Sequence, residues 1–332
     1  MLPGFNLMIK FLRTRLLYII IILIISLTGI LIKNSYYLQV LTFIGINTLL
    51  ALGLNMLMGY AGQISLGHAA FYGIGAYTTA ILSVTYNLSP WLSLPCAILL
   101  SALVALIVGV PTLKLSGYYL GMGTLGFGMI AFIVFREWGT LTGGASGFVG
   151  IPCLEIGSLS FASEQNYFYL VWATVLVIII LCQRIIDSRM GRALRSLHDS
   201  ENAAKAVGIN TMNLKLQIFI FSAAISALAG FLYAHFVSFI SPGSFNFLVS
   251  IRMVTMVVIG GMASVWGALL GASLLTLLPE WLHAFSDFEM VVYGLIMMVV
   301  MILLPQGLTR GILDFYEHGK EKYVRQTNHF KD

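Results

Sequence analysis

The chain has 332 residues, of which 59% are hydrophobic and only 9% charged, with a formal net charge of +5 at pH 7. Soluble domains carry about 25% charged residues, so an exterior that mostly faces water is excluded and a lipid-facing one is implied. Nucleic-acid binding is also excluded, because no basic stripe interleaved with aromatics stands outside the hydrophobic segments.

Crossing a hydrocarbon core of ~30 Å takes about 20 apolar residues in a helix. Taken in chain order, the runs that approach this length are Leu16–Ile32, Leu38–Leu57, Ile64–Val84, Trp91–Val110, Gly117–Phe135, Tyr167–Ile185, Leu216–Val237, Leu248–Gly260, Ser264–Glu280 and Glu289–Leu304. The eighth is short and meets the ninth with hardly any polar break, so these two read either as separate helices or as one broken element. The expected fold is therefore all-α, a polytopic transmembrane helix bundle of eight to ten spans. The first run follows Lys10, Arg13 and Arg15, as a signal peptide would, but no small-residue cleavage site follows Ile32 and it reads as a retained span.

Assigning successive loops to alternate sides places all but three of the 18 Lys and Arg residues together, leaving Lys33, Arg136 and Arg252 on the other side. Positive charge is retained on the cytoplasmic side, so both termini are expected inside and the +5 charge needs no anionic partner. The organisation that follows is a cytoplasmic segment 1–15, a membrane domain 16–304 and a cytoplasmic tail 305–332. Within the membrane domain, 136–166 is an outer loop and 184–215 a long inner one.

All thirteen carboxylates fall in loops, tails or span ends. An ion-coupled carrier commonly holds ionisable groups at membrane depth, so a secondary transporter is disfavoured. No GxxxxGK[ST] loop is present to cradle a nucleotide, and no Ser/His/Asp set or HExxH suggests catalysis. Cys96, Cys153 and Cys182 have no CxxC spacing, so neither a disulfide framework nor a metal site is expected. The chain reads as a non-enzyme with no cofactor of its own.

Glycines and neutral polar residues meet in Gly59-Tyr60-Ala61-Gly62-Gln63-Ile64-Ser65-Leu66-Gly67-His68, which opens the third run. Gly62, Gln63, Ser65, Gly67 and His68 are candidates for a solute path. Helix packing is the competing account, because polar side chains often act only as interhelical glue, and residue chemistry alone favours packing. Arg252 and His235 lie near outer span ends, where snorkelling explains them as well as solute contact does.

In the inner loop, Asp199 or Ser200 can cap a short helix, Glu201 suits its positive end and Gly208 fits the left-handed position after it. Leu197, Ala203, Ala204 and Val207 supply an apolar surface. The element reads as a docking helix for a soluble partner or as a helix lying on the headgroups.

Several of these segments carry a resemblance. Ala51-Leu52-Gly53-Leu54-Asn55 with Gly59–His68, Thr124-Leu125-Gly126-Phe127-Gly128, Thr142-Gly143-Gly144 and Ser188-Arg189-Met190-Gly191-Arg192-Ala193 are four of them. The others are Glu201–Gly208, Gly260-Gly261-Met262-Ala263-Ser264 and Pro305-Gln306-Gly307-Leu308. In this order the chain resembles the permease subunits of ATP-binding-cassette importers for branched-chain amino acids, the M-type subunit in particular. The resemblance implies a bacterial or archaeal plasma-membrane protein that moves leucine, isoleucine and valine by alternating access. It also implies a second homologous permease, two cytoplasmic ATPase subunits that bind the ATP, and an extracytoplasmic solute-binding protein as partners. Relatives carrying urea, short amides or another amino acid share most of these motifs. The resemblance further implies that Glu201, Ala203, Ala204 and Gly208 belong to the loop that engages the ATPase, although Asn202 stands where a stricter Glu-Ala-Ala pattern has alanine.

Overall fold

In a computed structural model of the chain, the described residues are Leu23, 25–157, 159–282, 291, 294–295, 298–299, 302 and 307–309. Of the expected run Leu16–Ile32, Leu23 and 25–32 are described, with 25–31 helical, whereas Glu289–Leu304 falls largely outside the described residues, as do segments 1–15 and 305–332.

Helix α1, Ser35–Asn55, starts where the Asn34 side chain accepts the Tyr36 N–H, and its end loosens into π geometry over Met56–Tyr60. Helix α2, His68–Ala80, likewise ends in a π segment, Ile81–Thr85. Helix α3, Pro90–Thr112, opens with proline at its first position, where the missing N–H costs nothing. Helix α4 is Tyr118–Glu137, and α5 is Glu164–Asp187, capped by Ser163 with Glu164 in its first turn and Arg184 in its last. Two short helices follow, α6 (Arg189–Asp199) and α7 (Glu201–Ala206), and then the long α8 (Thr211–Val237). Helices α9 (Phe247–Gly260) and α10 (Val265–Leu282) come next.

Among the described residues, six helical stretches are long and apolar enough to cross a membrane: Ser35–Tyr60, Pro90–Thr112, Tyr118–Glu137, Glu164–Asp187, Thr211–Val237 and Pro242–Gly260. Val265–Trp281 is a shorter apolar helix. The fold is thus all-α apart from two small antiparallel pairings at one end of the bundle. There β1 (Phe148–Val149) pairs with β4 (Phe239–Ile240), and β2 (Glu155–Ile156) pairs with β3 (Leu159–Ser160).

The helices divide into a buried centre and an apolar periphery. In the apolar middle of the first stretch 83% of the residues are buried, against only 28% in α3 and in α4, although α3 is the more hydrophobic. Exposed Leu99, Leu103 and Ile107 on α3 and Met122, Ile130 and Ile133 on α4 therefore suit hydrocarbon or another membrane subunit. Helix α8 packs against α1, α2 and α3. Lipid tails are as apolar as leucine, so close backbone approach has to supply much of the association. At Gly75 an added Cβ would strike the backbone of Ala227, and at Gly230 it would strike the Tyr72 carbonyl. These two glycines let α2 and α8 lie almost backbone to backbone. Buried polar links add direction: Ser101 Oγ donates to the Ala223 carbonyl (3.0 Å) and Tyr167 OH to the Leu232 carbonyl (2.6 Å).

One expectation needs correction. The third run was expected to be helical from Ile64, but helix begins only at His68, because Gly62 takes φ +65° and residues 62–67 leave helical geometry. Of the two readings open for Leu248–Gly260 and Ser264–Glu280, separate helices is the one observed, as α9 and α10. The chain reverses through Gly261 and Ala263, both at positive φ, and α10 returns along α9.

Candidate functional site

Two irregular segments, 61–67 and 261–264, interrupt the bundle, and the end of α1 organises both. Asn55 in the last turn of α1 donates from Nδ2 to the Ser264 carbonyl (2.7 Å), and its Oδ1 accepts the Ala263 N–H (3.0 Å). Gly59 lies against the Ala263 backbone where a Cβ would not fit. The second interruption is therefore stitched to the first.

Segment 61–67 re-enters the bundle from the end that carries α6 and α7. The Gln63 N–H still reaches the Leu57 carbonyl (3.1 Å), and its side-chain amide donates to the Ala61 carbonyl (3.0 Å). Deeper in, the Leu66 N–H donates to Thr124 Oγ1 of α4 (3.0 Å), and Gly67 sits so close to the Thr124 carbonyl that no side chain is accommodated.

The segment ends on a buried polar relay. Ser65 Oγ is 2.9 Å from His68 Nδ1, and His68 Nε2 is 2.6 Å from Ser222 Oγ of α8. Ser222 Oγ spends its single proton on the Gly53 carbonyl, also at 2.6 Å. Ser222 must then accept from His68, which assigns the imidazole proton to Nε2 and makes Nδ1 the acceptor for the Ser65 hydroxyl. His68 is fully buried, and both of its nitrogens are spent within the bundle. Gly62 is exposed and Gln63 half-buried, while Ser65, Gly67 and His68 lie behind them. The five residues form a single strap with an open face and an anchored end.

The open face meets α6. A Cβ on Gly62 would come within 3.1 Å of His198 Nδ1. Helix α6 is capped by Ser188, whose Oγ accepts the Met190 N–H (3.1 Å), and it packs inward through Leu194 and Leu197. Ser200 caps α7 by accepting the Ala203 N–H (3.3 Å). The far end of α7 is a complete Schellman motif, with the Gly208 N–H bonded to the Lys205 carbonyl (3.0 Å) and the Ile209 N–H to the Ala204 carbonyl (3.1 Å). Gly208 holds φ +82°, the left-handed geometry this motif requires. Ala204 is fully buried and Ala203 exposed, while Val207 stands 73% exposed. The apolar surface expected here loses Leu197 and Ala204, which turn into the protein, and keeps Ala203 and Val207.

Glu201 does more than sit at a helix N-terminus. Its carboxylate binds Lys215 Nζ at 2.6 Å and Lys205 Nζ at 3.0 Å, and it accepts from Thr211 Oγ1 at 3.4 Å. The Lys215 hydrogen bond, followed by that from Lys205, holds the Glu201 carboxyl below its ordinary value, outweighing the opposing effect of partial burial. The Lys215 side chain is only 4% exposed, so Glu201 is the counter-ion of a nearly buried cation on α8. Seven residues later the same helix carries Ser222, two turns along one face. Helix α8 therefore joins the α7 clamp to the relay that anchors the strap. The loop sequence alone hides this pairing, since Glu201 and Lys215 lie in different helices.

The two groups near span ends also have partners. His235 Nδ1 donates to the Pro152 carbonyl (2.7 Å), and Arg252 Nη2 donates to the Leu275 carbonyl (2.8 Å) across the α9–α10 hairpin.

Comparison with known proteins gives one family. Residues 36–303 match the model described as the permease component of branched-chain amino acid transport systems. The high-affinity branched-chain amino acid transport system permease protein LivM of Salmonella typhimurium is 34% identical over 316 residues, covering 88% of this chain and 74% of that one. Its namesake in Escherichia coli is 33% identical with the same coverage. The high-affinity branched-chain amino acid transport system permease protein LivH of Salmonella typhimurium is 25% identical, over 78% of this chain and 90% of that one. No solved structure matches.

Proposed function

Because the chain belongs to the family of permease components of branched-chain amino acid transport systems, we propose that it carries leucine, isoleucine and valine by alternating access, with the stroke delivered through loop 184–215. It is a non-catalytic membrane subunit, and ATP is bound by separate ATPase subunits. Likeness to both LivM and LivH relatives implies a partner permease.

In this reading the α6–α7 end faces the cytoplasm and receives two ATPase subunits, with Ala203 and Val207 as the exposed contact. Both termini lie on that side, in a bacterial or archaeal plasma membrane. The outer ends, 136–166 and 238–246, receive the solute-binding protein. The eight longer described helices, α1 to α5 and α8 to α10, are consistent with eight crossings, and the runs at Leu16–Ile32 and Glu289–Leu304 would raise the number to ten. The strap holding Gly62, Gln63, Ser65, Gly67 and His68 is the inner section of the path and its moving part.

The observation that carries this reading is the Glu201–Lys215 clamp, which ties the exposed α7 to the helix anchoring the strap. A push on α7 then reaches residues 61–67 through packed, hydrogen-bonded contacts. The test is uptake of radiolabelled leucine into proteoliposomes. ATP-dependent accumulation is expected from the assembled complex and none from this chain alone. Accumulation by the lone chain on a proton or sodium gradient would overturn the proposal.

A further inference from the structure

A cavity of about 350 Å³ lies between α1, α8, α9 and α10, in the half of the bundle remote from α6 and α7. Arg252 on α9 and Glu280 on α10 both line it. Their placement follows from Pro279. Proline has no N–H, so the carbonyl one turn earlier, that of Leu275, loses its helical donor. Arg252 Nη2 supplies the missing hydrogen bond. A guanidinium has five N–H donors, so this anchor holds the group in the cavity wall without using up its capacity to donate. Among the described residues no carboxylate is ion-paired with Arg252. Glu280 accepts from the Tyr36 hydroxyl through Oε2, and among the described residues no cation is paired with it.

One positive and one negative group thus share a cavity without pairing with each other. The rest of the lining mixes aliphatic side chains, among them Ile46, Leu50, Met253 and Met256, with the aromatic rings of Phe43, Tyr72 and Tyr233 and the polar Asn47, Ser244 and Thr276. Arg252 is exposed and Glu280 half-buried, so both charges are accessible from the cavity, and each can take a charge-assisted hydrogen bond from a group of opposite sign. A neutral amide would leave both charges unmet, and a plain amine or carboxylate would leave one. A zwitterion with an aliphatic side chain meets both and fills the remainder.

We propose that this cavity holds the transported solute as a zwitterionic aliphatic α-amino acid, with its carboxylate on Arg252 and its ammonium on Glu280. The proposal rests on the importer reading and specifies its solute site.

The assembled complex in proteoliposomes is photolysed with a diazirine analogue of leucine that keeps both charged groups, and the labelled peptides are mapped. Labelling of α1 and α9 around this cavity is expected, competed by leucine but not by equal 4-methylpentanoate or 3-methylbutylamine. Arg252→Gln and Glu280→Gln should each cut labelling and leucine uptake about tenfold, the effect of losing one charge-assisted contact, with Arg252→Lys intermediate. Pro279→Ala removes no charge but returns a helical donor to the Leu275 carbonyl; it should raise the half-saturating leucine concentration, which keeps the test open if a charge variant fails to assemble. ATP-driven leucine uptake with labelling elsewhere, or charge variants that label like the parent, would overturn the site and leave the importer reading standing. Labelling in the cavity with no ATP-dependent uptake would instead overturn the importer reading.

Discussion

Lys215 Nζ and Glu201 Oε2 lie 2.6 Å apart, joining the first turn of the short α7 to the start of the long α8. The lysine is almost wholly buried and the carboxylate about one-third exposed, so the two partners are not equivalent. Removing the carboxylate strands a buried cation, whereas removing the lysine leaves a carboxylate that Lys205 and water still reach. Glu201→Gln is therefore expected to be the more damaging single change, by roughly 2 kcal/mol, below the about 3–5 kcal/mol of a fully buried broken pair because one side is open. The double variant Glu201→Gln/Lys215→Met should recover much of that loss. Leucine uptake by the complex, with thermal stability of the purified assembly, checks the order.

The same clamp sets a pH dependence. The Glu201 carboxyl is held below its ordinary value of 4.5, chiefly by Lys215. A carboxyl lowered in the folded state contributes stability above its ordinary value and loses it as pH falls through the lowered one. Attachment of α7 should be constant from neutral pH down to about 5 and weaken only below about 4.5. Hydrogen exchange of residues 201–215, followed against pH, should show this onset in the parent and not in Glu201→Gln.

At Gly208 the backbone holds φ +82° and an added Cβ would meet no atom within 4 Å. A substitution there tests conformation rather than space. Gly208→Val should cost about 1–2 kcal/mol at the end of α7, because a branched residue resists the left-handed region, while Gly208→Asn should be close to neutral. Reduced ATP-driven uptake with normal membrane insertion is expected for valine and near-parental uptake for asparagine. Full transport by the valine variant would remove α7 from the drive train.

What the sequence makes legible follows from where the governing contacts lie. Apolar length shows the long helices, because the bilayer demands it of each segment separately. Ser200 and Gly208 mark α7 because capping and the Schellman turn are local. The start of α2 is illegible: Ile64 and Leu66 continue an apolar run, and only the contacts of Leu66 with Thr124 and of Gly62 with α6 explain why the chain is not helical there. Lys215 looks like a loop cation until α7 folds back on α8. Arg252 looks like an interfacial cation, although Pro279, four residues after Leu275, does signal a carbonyl in need of a donor.

Ser222 offers a test of the relay. It accepts from His68 and donates to the Gly53 carbonyl, both at 2.6 Å and both buried. Ser222→Ala orphans the buried His68 Nε2–H, at about 1–3 kcal/mol, and removes the hydroxyl bond that ties α8 to the Gly53 carbonyl of α1. Ser226, one turn later, donates back to the Ser222 carbonyl within the same helix, so Ser226→Ala removes a bond that leaves α1 and α2 untouched. A fall in melting temperature and in uptake is expected for Ser222→Ala and little change for Ser226→Ala. Equal effects would mean that the relay contributes nothing beyond α8 itself.

Asn55 separates the two interruptions as independent breaks from the two as one unit. Its amide donates to the Ser264 carbonyl and accepts the Ala263 N–H, so a carboxylate of the same shape keeps the second contact and reverses the first into repulsion between oxygens. Asn55→Asp should therefore loosen 261–264 without removing volume, and Asn55→Leu should loosen it while keeping the site apolar. If the breaks act together, either change should also expose residues 61–67, because Gly59 packs against the same Ala263 backbone. Cysteine accessibility at Gln63→Cys, measured in each background, reads this directly. Faster modification at that position in both variants is the expected result, and an unchanged rate would show that the strap moves without reference to its neighbour.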